Sequence, residues 1–425
     1  MAPLQVSSGF TRPTKTAIVR GGTNFMALNY RARVSAKLLP GLLILGAVAA
    51  LAQSPSTISV RAARVLDGRG GVLENGVLEI TGSKITNIAQ RAGPVTYDLG
   101  DATVLPGLID VHVHILAGAT SDRPAELRAT ATAEKWNENV RATLMAGFTT
   151  IQSVGDRGDK VLRDAIAAGF IIGPRLLSSI DQIHPGNRSP DQLRAEVRTL
   201  KSEGADLIKL YASGSGFKGA TSNVTLAQMV AVCGEAKLQG LRCVVHAQPS
   251  DAIVNAVKAG ATEIEHGGWA DDAAINAMAE ANVLYDPTMS FAPHVLQHKE
   301  ELLREGRFNA AQVALLDSIL PQKRAIFQRA LAAGLRMPSG SDIGFAHGEN
   351  ALELIVRVEA GERPMDAIIG ATSLAAESLG LEKSIGTIAP GYDADIIAVA
   401  GNPLADITVL RHVTFVMRGG QIYKH

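Results

Sequence analysis

The chain has 425 residues, 46% of them hydrophobic and 19% charged, and its 41 basic and 41 acidic side chains give a formal net charge of zero. That length suits one large globular domain with a satellite, and without a basic excess no nucleic-acid partner is expected. Its two cysteines, Cys233 and Cys243, form neither a metal motif nor a disulfide framework. Both sit in stretches that read as packed helix and strand, so a bridge between them is not expected.

Residues 1–52 contain Arg12, Lys15, Arg20, Arg31, Arg33 and Lys37 and no Asp or Glu. An apolar run follows from Leu38 to Ala52, too short and too rich in Gly and Pro for a comfortable transmembrane span. Basic residues, an apolar run and Ala50-Leu51-Ala52 make a secretory signal peptide, with Met26 a natural start. The expected product is exported, periplasmic or secreted, with no membrane partner after signal removal. It would keep 35 basic and 41 acidic side chains, a net charge of −6.

Residues 57–104 hold short alternating runs broken by the turn signals Asp67-Gly68, Asn75-Gly76, Gly82-Ser83 and Gly93-Pro94. From Gly107 short apolar strands alternate with longer helical segments, the signature of βα units and a parallel sheet. The expected strands are Leu108–His114, Thr149–Val154, Arg175–Ile180, Leu207–Tyr211, Arg242–His246, Thr262–Glu265, Val283–Asp286 and Leu335–Ser341. Helices should begin near Ala133, Asp159, Pro190, Thr225, Asp251, Asp271, Ala311 and Glu349, several with cap residues at their starts and Gly at their ends. Eight such units over roughly 235 residues match a (β/α)8 barrel. After Gly380 the pattern is again β-like. The predicted fold class is α/β: a (β/α)8 TIM barrel over 105–380, with a small β-sandwich domain composed of the flanks 53–104 and 381–425.

Active sites of such barrels lie at the C-terminal ends of the strands. Strand one ends in His112 and His114, which share one face because side chains alternate along a strand. Strand four carries Lys209, strand five ends in His246, strand six in His266 and strand eight in Asp342. Neutral imidazoles and carboxylates are the ligands that Zn²⁺ and similar ions take in catalytic sites. Singly, each has an ordinary role: a hydrogen-bonded histidine, a lysine with a buried stem, an aspartate capping a loop. Their joint placement on one rim points to a metal site.

The motifs Leu105-Pro-Gly-Leu-Ile-Asp-Val-His-Val-His114, Ile208-Lys-Leu-Tyr211, Val245-His-Ala247, Ile264-Glu-His-Gly267 and Gly340-Ser-Asp342 resemble the metal-dependent amidohydrolase superfamily. The resemblance covers about residues 57–425. Ser153-Val-Gly-Asp156, Gly173-Pro-Arg175 and His347-Gly-Glu-Asn350 fit its exported dipeptidase and ochratoxinase-like branch, which also holds Xaa-Pro dipeptidases. The resemblance implies two divalent metal ions, foremost Zn²⁺, with Mn²⁺ or Co²⁺ left open. His112, His114 and Asp342 would hold one and His246 and His266 the other. Lys209, carbamylated by CO₂, would bridge them. Asp342 would shuttle the proton from the attacking hydroxide to the leaving amine. The chain departs from the family in Gly-Ser-Asp for the usual Gly-Thr-Asp, and in Ala247-Gln248-Pro249 after His246, where deaminase-like branches tend to place a Glu.

Tyr211 lies two residues after Lys209 on the same face and could hydrogen-bond a substrate carbonyl or carboxylate, acting in catalysis or binding. Lys218, in the Gly-rich loop 212–223, could pair with a carboxylate or be simply solvated. His184 and His294, after strands three and seven, are further substrate-binding candidates. His298, His412 and His425 read as surface. The expected function is hydrolysis of a small-molecule amide, a dipeptide or N-acyl amino acid including ochratoxin-type amides, by a homo-oligomer. A cyclic-amide hydrolase or deaminase of the same superfamily is the alternative, and a non-catalytic small-molecule binder a remote one.

Overall fold

A computed structural model of the protein describes residues 57–116, 133–218 and 220–425. The signal-peptide expectation, on residues 1–52, lies outside them, as does the side chain of Lys218. Five strands open the described chain: β1 (Thr57–Leu66), β2 (Val72–Thr81), β3 (Lys84–Ala89), β4 (Tyr97–Asp98) and β5 (Thr103–Pro106). A parallel βα pattern follows, with β6 (Leu108–Val113), α1 (Ala133–Met145), β7 (Phe148–Ser153), α2 (Gly158–Ala167), β8 (Arg175–Ser178), β9 (Gln182–Ile183) and α3 (Pro190–Glu203). It continues with β10 (Leu207–Tyr211), α4 (Leu226–Leu238), β11 (Arg242–Pro249), α5 (Ser250–Lys258), β12 (Glu263–Trp269), α6 (Asp272–Glu280) and β13 (Leu284–Asp286). Then come α7 (Phe291–Gln297), α8 (Lys299–Arg304), α9 (Ala310–Ala332), α10 (Leu352–Glu359), α11 (Pro364–Gly370) and α12 (Ser373–Leu379). The strands β14 (Ile396–Val399), β15 (Val413–Arg418) and β16 (Gln421–Lys424) close the chain.

The two flanks pair with each other. β14 runs antiparallel to β5, and the order β16-β15-β14-β5-β1-β2-β3, with β4 on β1, makes one eight-stranded sheet. Val60, Leu78, Ile80, Val104, Ile396, Phe415 and Met417 build its core. Hydrogen bonding thus joins the two flanks in one sheet. Arg175 ties this sheet to the parallel region, its guanidinium donating to Asp393 and Asp395 at 2.9 Å each.

The parallel strands form a five-stranded sheet, β13-β12-β11-β10-β9, and a three-stranded one, β6-β7-β8. Helix boundaries follow local chemistry. Ser189 and Gln192 form a capping box around α3, with Pro190 in its first turn, and Gly204 ends it in the left-handed region. At Gly107 an added Cβ would stand 2.1 Å from Thr149 Oγ1, so only glycine lets β6 start so close to β7.

Three expectations change. Leu335–Ser341 is not a regular strand: Pro338 has no N–H to give a ladder. The segment still bonds on both sides, through Tyr285 N to Arg336 O at 3.0 Å, Val111 N to Ser339 O at 3.0 Å and Asp342 N to His112 O at 2.7 Å. Strand three stops at Ser178, since Ile180 adopts φ 64°, and the chain re-pairs with β10 as β9. Cys233 and Cys243 form a disulfide, with Cα atoms 5.2 Å apart. The reason is local: α4 packs back on the strand that follows it, and both thiols face that seam. Packing and pairing were never alternatives there.

Candidate metal centre

β6 is buried along its whole length. Ile109 and Val111 pack towards α12, which turns Asp110 and His112 to the interior. Asp110 fixes the strand end. Its carboxylate accepts from His112 N at 3.0 Å, Ser341 N at 3.1 Å, Ser341 Oγ at 2.5 Å and Asn350 Nδ2 at 2.8 Å. Burial still pushes its pKa up to about 6, against those hydrogen bonds. Through Ser341 the same network holds the next residue, Asp342, opposite the two histidines. Asp342 Oδ1 lies 3.3 Å from His112 Nε2 and 3.2 Å from His114 Nε2. Asp342 Oδ2 lies 3.9 Å from His266 Nδ1.

His266 and His246 face each other with ring centroids 4.4 Å apart, and His112 and His266 at 5.1 Å. His266 stands at φ 69°, Thr288 at 46° and Asp342 at 55°. Three non-glycine residues in the left-handed region of one site are a concentration of backbone strain. At His266 it breaks the alternation of β12, so that Glu265 and His266 both reach the interior. Lys209, buried on β10, contacts Glu265. Its ammonium lies 5.4 Å from the centroid of the Tyr211 ring. Tyr211 is stacked between His184, at 4.2 Å, and His246, at 4.5 Å.

His112 Nδ1 donates to Asp286 Oδ2 at 3.1 Å, and His266 Nδ1 meets Thr288 Oγ1 at 2.9 Å. Partners at Nδ1 of this kind fix the ring and leave Nε2 for a metal. His112 Nε2, both ring nitrogens of His246 and Glu265 Oε1 are buried without a hydrogen-bond partner. Each such orphan costs about 1–3 kcal/mol unless something satisfies it. Burial holds His112 and His266 well below the usual histidine range and brings His246 to about 3. The imidazoles are therefore neutral, the form that binds metal. Burial also lowers Lys209 to about 7, against the pull of Asp342, Asp286 and Glu263. His112, His266 and Asp342 offer one three-ligand set, and His246, Glu265 and His266 another. This donor set fits divalent cations.

Beside the centre opens a cleft lined by His114, Tyr211, His246, His266 and Asp342 at one end. Phe217, Trp269, Phe291, Phe308, Leu316 and Phe345 line the rest, and Lys323 enters the same wall. Lys323 Nζ donates to Thr288 O at 3.0 Å, and burial lowers its pKa.

The structure thus gathers His112, His114, Lys209, Tyr211, His246, His266 and Asp342, and places His184 against Tyr211. It does not put His294 on the cleft wall. His294 lies behind Phe345, with ring centroids 4.4 Å apart, beside His298 and Glu349. His298, read as surface, is 21% exposed and hydrogen-bonded to Glu349 at 3.0 Å. The reason is that α8 follows α7 directly and folds His298 inward. Glu265, Asp286, Thr288 and Lys323 were missed. Glu265 stands in the quoted Ile-Glu-His-Gly motif, but strict alternation turns it outward. Lys323, between Gln322 and Arg324 on a helix, carries no sequence signal.

The model of the Amidohydrolase family matches residues 103–423. The chain belongs to the amidohydrolase family. Membership implies a TIM-barrel fold and a hydrolase acting on carbon–nitrogen bonds. Ochratoxinase of Aspergillus niger is 28% identical over 426 residues, covering 86% of each chain. A Xaa-Pro dipeptidase crystallised with methionine in its active site is 30% identical, with a TM-score of 0.77 over 87% of this chain and 100% of its own. A prolidase complexed with N-methylphosphonate-L-proline is 27% identical at the same TM-score and coverage. The family, and its dipeptidase and ochratoxinase-like branch, agree with the motif reading.

Proposed function

We propose that this amidohydrolase cleaves acyclic amides whose amine product is an amino acid, namely dipeptides or N-acyl amino acids, on a binuclear metal centre. The observation that carries the reading is the convergence of His112, His114 and Asp342 on His266 and on the orphaned imidazole of His246, at the mouth of an aromatic cleft. His112, His114 and Asp342 would hold one ion and His246 and His266 the other, with carbamylated Lys209 between them. Two such ions, when bound, polarise the scissile carbonyl and make hydroxide available near neutral pH.

The protein's own groups do the rest. Asp342, within 3.3 Å of His112 and His114, accepts the proton of the attacking water and returns it to the leaving amine. Tyr211, held between two imidazole rings, donates its hydroxyl to the substrate carbonyl or carboxylate. Lys323 offers a cation for the free carboxylate. Trp269, Phe217 and Phe345 favour an aromatic or prolyl group and exclude water from it. Lys209 with a pKa near 7 presents the neutral amine that reacts with CO₂.

In this reading the barrel closes through the 335–343 segment, which bonds to Tyr285 on one side and to Val111 and His112 on the other, with the paired flanks as a satellite β-domain. Export fits the basic and apolar N-terminus and the Cys233–Cys243 bridge, since disulfides persist in oxidising compartments. Val161, Phe170 and Ile172 leave apolar surface exposed, which suits a homo-oligomer.

Anomalous diffraction from metal-loaded crystals tests the centre. Two peaks are expected among His112, His114, His246, His266 and Asp342, and Lys209→Ala should lose one of them together with activity. A single peak in the wild type, or full activity in Lys209→Ala, would overturn the bridging arrangement.

A further inference from the structure

We infer that His294, His298 and Glu349 form a second, separate cation site that takes a divalent ion of the zinc type. The helical turn continues past α7. His298 N donates to His294 O at 3.2 Å, so the two imidazoles stand at i and i+4 on one face, with ring centroids 4.9 Å apart. Glu349, just before α10, meets both. Its Oε2 lies 3.4 Å from His294 Nε2 and 3.0 Å from His298 Nε2. Donors bound at about 2.0–2.1 Å around a tetrahedral ion stand about 3.3 Å from one another. The two carboxylate–imidazole distances therefore lie near the edge length such an ion requires, and all three donor atoms stand within 4.8 Å of one another.

Hydrogen bonding alone does not account for the cluster. Glu349 Oε2 accepts from His298 Nε2 and from Gln297 Nε2 at 3.1 Å. His294 Nε2, on a side chain only 4% exposed, faces the same oxygen at 3.4 Å without the alignment of a good hydrogen bond. His347, two residues before Glu349, is a further imidazole with both ring nitrogens buried and unpartnered. Two imidazoles and one carboxylate are a zinc-type set, with neither the oxygen count of a calcium site nor the thiolates of a copper(I) site.

The placement gives the ion a role. His294 is stacked on Phe345, which lines the cleft, and Arg307 lies over the same ring at 5.2 Å. A cation held by α7, its C-terminal turn and the 344–349 loop would clamp that aromatic wall without touching the reacting atoms.

The inference does not depend on the binuclear centre, and one experiment separates them. The full chain is loaded with zinc, dialysed and its metal content measured. Crystals of the same sample are examined for anomalous scattering at the zinc edge. A peak between His294, His298 and Glu349 is expected, with one equivalent lost in both His298→Ala and the isosteric Glu349→Gln. Peaks at His112, His114 and Asp342 should persist in both variants. No peak at the triad in the wild type overturns the inference whatever the variants do. So does a peak in crystals whose dialysed protein has the same metal content as the two variants. A triad peak without peaks at the main centre would uphold this site and refute the binuclear one.

Discussion

Gly340→Ala tests how the centre is held. Gly340 precedes Ser341-Asp342, and an added Cβ would stand 2.2 Å from Asp286 Oδ2, 2.5 Å from its Cγ and 2.7 Å from its Oδ1. Gly340 is not among the glycines in the left-handed region, so alanine is refused by the contact rather than by the backbone. Asp286 is fully buried and accepts from His112 Nδ1 at 3.1 Å, so it cannot move without releasing that ring. Overpacking of this kind costs about 1–3 kcal/mol. With an unfolding entropy of about 2.1 cal/mol/K per residue, the unit spanning Gln53–His425 should melt lower by roughly 1–4 °C. Losing the partner that orients a histidine ligand typically weakens metal binding about 10–100-fold. Calorimetric melting of the metal-free protein and zinc titration by competition with a chelator read the two effects separately. Gly234→Ala, in α4 with open space around the added Cβ, is the control and should stabilise by about 0.5–1 kcal/mol. A normal zinc affinity in Gly340→Ala, whatever its melting temperature, would refute the claim that Asp286 positions His112.

Asp159 is fully buried, and burial raises its pKa to about 7 from an ordinary carboxylate value. Its ionisation therefore opposes folding above pH 7, and the penalty is relieved as pH falls towards 4, by about 1.4 kcal/mol per pH unit. Asp159→Asn should then be the more stable protein at pH 8 and lose that advantage by pH 4 in urea melts; an advantage that grows towards acid would reverse the sign. Reducing the Cys233–Cys243 bridge, which spans 10 residues, should cost about 2.7 kcal/mol by chain entropy, seen as a lower urea midpoint in dithiothreitol. An unchanged midpoint would show that the bridge does not constrain the unfolded chain.

Much of the site was legible because its signals are local. His112 and His114 declare a shared face by spacing alone. Ser189-Pro190 and Gly204 punctuate α3 by their own backbone chemistry. What stayed hidden depends on partners distant in sequence. Asp286 matters only because β13 lies against His112, 174 residues away. Glu265 shares the interior with His266 only because His266 leaves the extended region, a property of the folded strand rather than of the residue. Lys323 gains a place only when α9 is seen against the cleft. The eighth strand reads well by composition, yet Pro338 denies it a ladder. The disulfide was dismissed because both cysteines looked like core, and in a helix–strand hairpin ten residues long the core position is what brings the sulfurs together.

The most direct test is turnover. Metal-loaded protein would be given N-acyl amino acids and dipeptides ordered by their C-terminal residue, alongside a cyclic amide such as an imidazolone. Release of the free C-terminal amino acid, fastest for aromatic or prolyl residues and abolished in Asp342→Asn, is the predicted result. Hydrolysis of the cyclic amide with every acyclic amide left intact would contradict it.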